Sequence, residues 1–136
     1  GLYMRGPAIV SGARTEFVRA LTDTSPYVRI VAAEALGQFG APADLATSLP
    51  VLTSLADWSQ HDMFTALAAL HALEALGQKK YSLAREAILA LPATGPVPDN
   101  RYAAYIPRIL ANLRAKLDAA TAPVGEAKKG KRKAAK

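Results

Sequence analysis

The chain has 136 residues, 51% of them hydrophobic, no cysteine and a formal charge of +6 at pH 7. That length fits one compact domain with a working core. The missing cysteine excludes a disulfide scaffold, thiolate zinc sites and a cysteine nucleophile, while leaving the redox compartment open. No uncharged apolar run approaches the roughly 20 residues that span a bilayer. The chain opens at Gly1 in mid-pattern, without a signal-peptide profile, as expected of a fragment or a processed product.

The charge is unevenly placed. Residues 1–125 hold eleven Lys/Arg against ten Asp/Glu, whereas residues 126–136 hold six against Glu126 alone. The basicity is therefore a tail: Lys128, Lys129, Lys131, Arg132, Lys133 and Lys136 are spaced by Gly130 and alanines. With no large apolar residue to build a core, this stretch is expected to be disordered. Nonspecific contact with polyanions is open to it, but no aromatic interleaves the lysines to stack on bases.

In chain order, Ala13, Phe17, Val18 and Leu21 predict a short helix over about 12–22, ended by Asp23-Thr24-Ser25. Val28, Val31, Ala32, Ala35, Leu36 and Phe39 form the stripe of a second helix, opened by Ser25-Pro26 and closed by Gly37 and Gly40. The very short turn predicts an antiparallel hairpin. Leu45, Leu49, Leu52 and Leu55 mark a third helix, which Pro50 is expected to kink or restart. Met63 to Leu76 carries only Thr65, His71 and Glu74 as polar residues, so this helix should be covered on several sides. Its end, Glu74-Ala75-Leu76-Gly77-Gln78, repeats Glu34-Ala35-Leu36-Gly37-Gln38, 40 residues on, and reads as an internal repeat. A looser third pair follows, with Leu83, Ala87, Ile88 and Leu91 on a short helix and a loop holding Pro92, Pro96 and Pro98. A last helix over about 101–119 aligns Tyr102, Tyr105, Ile106, Ile109, Leu110, Leu113 and Leu117, with Arg108, Asn112, Arg114, Lys116 and Asp118 largely off the stripe. One apolar and one charged face suit the capping helix of a solenoid.

The run Asp23-Thr24-Ser25-Pro26-Tyr27-Val28-Arg29, then Ala32, Ala35, Leu36 and Gly37, resembles the HEAT-repeat signature. Leu49-Pro50 ahead of Leu52, Leu55 and Asp57 resembles its first-helix half in a second copy, where Trp58-Ser59-Gln60-His61-Asp62-Met63 departs from the Pro and Val-Arg portion. On this reading Asp23, Pro26, Val28, Arg29 and Gly37 are structural: Asp23 caps, Val28 and Leu36 fill the core, and Arg29 pairs with Asp23 in an ion ladder between repeats. The wider set Ser25 to Gly37, Leu49-Pro50-Val51-Leu52, His61-Asp62-Met63-Phe64, Ala68 to Leu73, Leu91-Pro92, Gly95-Pro96, Arg101-Tyr102 and Tyr105-Ile106-Pro107-Arg108 is similar to the helical C-terminal extension of bacterial sulfatases, notably of planctomycete type. The similarity covers roughly residues 12–117. It implies a parent enzyme that hydrolyses sulfate esters in the periplasm or outside the cell, with formylglycine and calcium in an upstream catalytic domain.

That chemistry is not expected in these residues. The nearest approach to Cys/Ser-x-Pro-x-Arg is Ser48-Leu49-Pro50-Val51-Leu52, with Leu in place of Arg, and the Asp/Asn clusters that hold calcium are missing. His71 and Glu74 make at most half a metal site, with His61 on a different element. No serine elbow or glycine-rich phosphate loop occurs. No catalytic, cofactor or metal residue is therefore assigned.

The turns within the pairs should emerge on one edge. Tyr27, Trp58, His61, Asp62, Arg101 and Tyr102 lie on them, a composition typical of an interface. The expected architecture is an all-α, HEAT-like solenoid of about three antiparallel helix pairs over residues 12–120, after a lead-in over 1–11 and before a disordered basic tail over 121–136. Its expected role is a non-catalytic accessory or interaction domain. The partner is its own upstream sulfatase domain or, in the alternative, another protein held by a free-standing scaffold. Neither a membrane nor a nucleic acid is expected as partner, nonspecific tail contacts aside.

Overall fold

The structure, a computed structural model, describes residues 7–121 of the backbone and the side chains of residues 13–119. Residues 122–136 of the expected tail and 1–6 of the lead-in lie outside the described residues, whereas Thr121 belongs to the last helix. The elements are α1 (Pro7–Ala20), α2 (Pro26–Phe39), α3 (Pro42–Leu55), α4 (Met63–Leu76), α5 (Gln78–Tyr81), α6 (Arg85–Leu89) and α7 (Tyr105–Thr121), with 3-10 turns at Ser82–Ala84 and Asn100–Tyr102. Helix α1 thus begins at Pro7, ahead of the expected position 12.

The first two pairs, α1/α2 and α3/α4, stack so that α2 meets α1, α3 and α4. Contact on three sides requires a wide buried arc, filled by Ile30, Ala32, Ala33, Ala35, Leu36 and Gly37. Val28 was expected in the core but is 40% exposed, because Ile30 and Ala33 supply the face that packs inward. Helix α4 is likewise covered by α2, α3, α5 and α7, in keeping with its nearly all-apolar sequence.

The repeated five residues meet one another in space and do different work. Gly77, at φ 94°, adopts the left-handed backbone that ends α4. Gly37 was expected to end α2, yet it stays inside the helix, which runs to Phe39. A Cβ on Gly37 would stand 2.8 Å from Leu76 Cδ2, so its hydrogen side chain is what admits Leu76. Beside this contact the Gln38 amide donates to the Ala75 carbonyl at 3.3 Å. The Lys80 ammonium donates to the Gly37 and Gln38 carbonyls at 2.8 and 3.0 Å. A cation on the last carbonyls of α2 satisfies acceptors that the helix leaves unpaired and opposes the helix dipole.

Helix α3 passes through Pro50 without a break. Pro50 and Ala46, whose carbonyl loses its helical donor, both lie on the exposed side, where water replaces the bond. At its start Asp44 is buried, accepts the Ala41 N–H at 3.0 Å and pairs with Arg14 of α1, whose Nε donates at 2.8 Å. The Arg14 hydrogen bond holds the Asp44 carboxyl below its ordinary range, against the opposing effect of burial. The third pair is less regular. Its first helix is split by the 3-10 turn, which changes the phase of the side chains: Tyr81 is buried, whereas Leu83, expected on the apolar stripe, is 72% exposed. Helix α7 buries Ile106, Ile109, Leu110, Leu113 and Leu117. Its Arg114 donates to the Leu89 and Leu91 carbonyls at 3.2 and 2.6 Å, closing the end of α6 as Lys80 closes α2.

Gly40→Ala places a Cβ 2.5 Å from the Leu36 carbonyl oxygen and 2.7 Å from Asp44 Cβ. It should lower stability by about 1–3 kcal/mol, read as a fall in Tm. Because the folded Asp44 pKa lies below the unfolded value of about 3.9, its contribution is present above that pH and is lost as pH falls through the folded value. Urea melts should therefore separate wild type from Asp44→Asn near neutral pH and converge in acid.

Candidate interaction surfaces

The turns of neighbouring pairs adjoin. Leu21 and Arg29 share a pocket with His61, Trp58 packs under Gly95-Pro96, and Phe64 at the start of α4 meets Tyr102. The six edge residues nevertheless separate into different roles. Trp58 is 3% exposed and its indole N–H donates to the Pro96 carbonyl at 3.0 Å. It pins the proline-rich loop and is closed to a partner, which corrects its place in the expected interface. Asp62 is the N-cap of α4, its Oδ1 accepting the Thr65 N–H at 2.8 Å, and the Thr65 hydrogen bonds hold its carboxyl below the usual range. Tyr27 is 46% exposed but lines a different groove, between α1 and α2.

Arg101 and Tyr102 belong to an aromatic cluster. Tyr102 stands edge-to-face with Phe64 and with Tyr105, each at 5.6 Å between centroids, and the Arg101 guanidinium lies 5.5 Å from the Tyr102 centroid. Asp99 accepts the Arg101 N–H at 2.9 Å and fixes the turn that presents them. The cluster opens onto a groove of about 510 Å³ between α4 and α7, lined by Leu67, His71, Glu74, Tyr105, Arg108 and Asn112 among others. Contacts at Phe64–Tyr102 and at Glu74–Asn112 show that the two helices run parallel, since Asn112 donates to Glu74 Oε2 at 2.9 Å. His71 Nδ1 lies 3.8 Å from Glu74 Oε1 and its side chain is exposed, so it is a surface residue on a helix otherwise largely covered. On the adjoining α2, burial pushes the Glu34 carboxyl above its ordinary range. Among the described residues no three His, Cys, Asp or Glu side chains converge in a way that holds a metal ion, and no helix is long and apolar enough to cross a membrane.

The second surface is the outer face of α1 and α2. Phe17, Ala20, Tyr27, Val28, Val31 and Ala32, with Glu16 at the margin, line a groove of about 430 Å³. Val31 is 55% exposed. Sequence periodicity assigned Val28 and Val31 to the core, because a helix that is apolar over most of its circumference carries no phase to tell a buried arc from an open one. Phe64, on the nearly all-apolar α4, escaped notice as a surface residue for the same reason, whereas Tyr105 lies in line with the stripe of the amphipathic α7 but at its first residue, where it is 42% exposed.

The ladder expected of the repeat signature is not formed. Asp23 Oδ1 accepts the Ser25 N–H at 2.8 Å, and no ion pair joins it to Arg29 among the described residues. The stacked hairpins, the glycine at the helix crossing and the proline-opened second helix together have the form of a helical repeat, and residues 14–106 match the family of HEAT repeats. The chain belongs to the HEAT-repeat family. No curated protein and no solved structure matches it. As a HEAT-repeat solenoid it is a helical scaffold of the kind that mediates protein interactions, and the match carries no enzymatic activity with it.

A Cβ at Gly95 would stand 2.6 Å from Trp58 Cδ2. Gly95→Ala should therefore push out either the ring or the loop. The chain has a single tryptophan, so its emission should move to longer wavelength in this variant. Unchanged emission would show that the loop does not depend on the ring.

Proposed function

We propose that this HEAT-repeat solenoid is a non-catalytic accessory module that docks on a neighbouring folded domain through the outer face of α1 and α2. The observation that carries the reading is the asymmetry of the two ends. At one end Tyr27, Val28 and Val31 leave a contiguous apolar groove open to solvent, and an exposed patch of this kind marks an interaction site. At the other end, α7 beyond its first turn exposes Ala111, Ala115, Lys116 and Asp118, the small and charged surface of a terminal cap. The exposed apolar residues of the third pair, Leu83 and Tyr105, line no groove with one another among the described residues.

The neighbouring domain is, in this proposal, the catalytic domain of a sulfuric ester hydrolase preceding the solenoid in the same polypeptide. What supports that identity is the resemblance of residues 12–117 to sulfatase C-terminal extensions, argued above from the residues alone. The solenoid then contributes contacts and orientation, while formylglycine and calcium chemistry belongs to the preceding domain. The rival reading is a free-standing scaffold holding a separate protein in the same groove.

Val28→Asp with Val31→Asp places two charges on already exposed positions, so the isolated solenoid should keep its thermal melt. In the longer polypeptide the double variant should expose the junction to limited proteolysis and reduce turnover of an aryl sulfate, whereas the solenoid alone should turn over none. Unaltered proteolysis would remove this face as the docking surface. A preceding reading frame without a Cys/Ser-x-Pro-x-Arg motif would remove the sulfatase identity and leave the scaffold.

A further inference from the structure

Arg29 stands in the Val-Arg portion of the repeat signature, yet the fold leaves its guanidinium without the carboxylate that the signature leads one to expect. It lines a pocket of about 290 Å³ together with Leu21, Val51, Ser54, Leu55 and His61, where the turns of the first two pairs adjoin. Its Nε is buried and has no hydrogen-bond partner. No carboxylate among the described residues lies within ion-pair distance of the group. The acids nearest in the turns are engaged by their own backbone. Asp23 Oδ1 accepts the Ser25 N–H, Asp57 Oδ1 accepts the Ser59 N–H and hydroxyl at 2.9 and 2.6 Å, and Asp62 Oδ1 accepts the Thr65 N–H.

A guanidinium N–H shielded from water and lacking an acceptor is costly. No water reaches the Arg29 Nε as the side chain stands, so an anion in the pocket accepts from it once the guanidinium turns outward, which removes the cost. Arginine presents its donors as a planar fork that matches two oxygens of a carboxylate, sulfate or phosphate. The Ser54 hydroxyl and the His61 ring supply further donors in the same pocket. The side chains of Leu21, Val51 and Leu55 form its apolar wall, and the exposed Ser54 stands at its open side.

We infer that this pocket is an oxyanion site, in which Arg29 takes two oxygens of a carboxylate, sulfate or phosphate group and Ser54 and His61 complete its hydrogen bonding. None of its residues lines the α1–α2 groove, so it stands independently of the docking face proposed above. The site fills the ladder position with an external anion where an internal aspartate would otherwise sit.

The test is an NMR titration of the folded chain with sodium sulfate, phosphate or acetate, at an ionic strength held constant with sodium chloride. The Arg29 Nε–Hε signal and the amides of Leu21 and Leu55 should shift to saturation with at least one of the three salts and not with chloride. Arg29→Gln should abolish the response, and Ser54→Ala or His61→Gln should each weaken affinity severalfold. Saturation with sulfate or phosphate alone assigns a free ion or an ester group as the source. Saturation with acetate alone assigns a side-chain or terminal carboxylate of a peptide. Linear shifts, shifts matched by chloride, or a response that survives Arg29→Gln would overturn the site. If Arg29→Gln fails to fold, full affinity in both Ser54→Ala and His61→Gln overturns it equally.

Discussion

The structure depends on one close approach, that of Leu76 to the bare backbone at Gly37. It sets how near α4 comes to α2, and that spacing places the Gln38 amide on the Ala75 carbonyl and the Lys80 ammonium on the last carbonyls of α2. Burial and polar satisfaction therefore come from the same contact. A Cβ at Gly37 would press on the Leu76 methyl groups, so that side chain must turn aside or the helices part, and parting would uncap carbonyls as well as lose packing. Helix propensity opposes glycine inside a helix by about 1 kcal/mol, and Gly37 stands buried in the last turn of α2, where Leu76 approaches it. The second repeat is thus fastened to the first by the end of α4, and the start of the third pair adds the Lys80 ammonium at the same place.

Much of this fold was legible in the sequence. Ser25-Pro26 reads as a helix opening, and Ser25 Oγ does accept the Val28 N–H. The duplicated five residues announced a repeat. What could not be read was the use of each copy. Gly37 and Gly77 stand in identical local sequence, and only the arrival of Leu76 decides that one is a crossing point and the other a helix end. Pro50 misleads similarly, since whether a proline breaks a helix depends on whether the carbonyl it orphans faces water. The aromatic edge was visible as composition, but composition does not separate a ring that anchors a loop, as Trp58 does, from one left open, as Tyr27 is.

Two polar features of the turns follow from the same limits. The residues of the repeat signature are retained around Arg29, but its acidic partner is diverted into the local turn at Ser25, leaving a cation in a pocket rather than a rung between repeats. In the α4–α7 groove the opposite occurs. Glu74 is held by Asn112 and lies beside His71, so a pair spaced as half a metal site serves as a bridge between helices. Spacing along a helix shows which side chains share a face, whereas the neighbouring element determines what they do there.

The unlike ends of the solenoid bear on assembly as well as on docking. An apolar face at α1 and α2, and a small and charged face at α7, cannot serve as plug and socket for one another. Head-to-tail association, which propagates into filaments, therefore gains little from joining these two faces. Covering the α1–α2 face with its own counterpart on a second copy instead gives an arrangement with twofold symmetry that closes on itself after a single contact. Unlike ends of this kind favour closed pairing over open filaments.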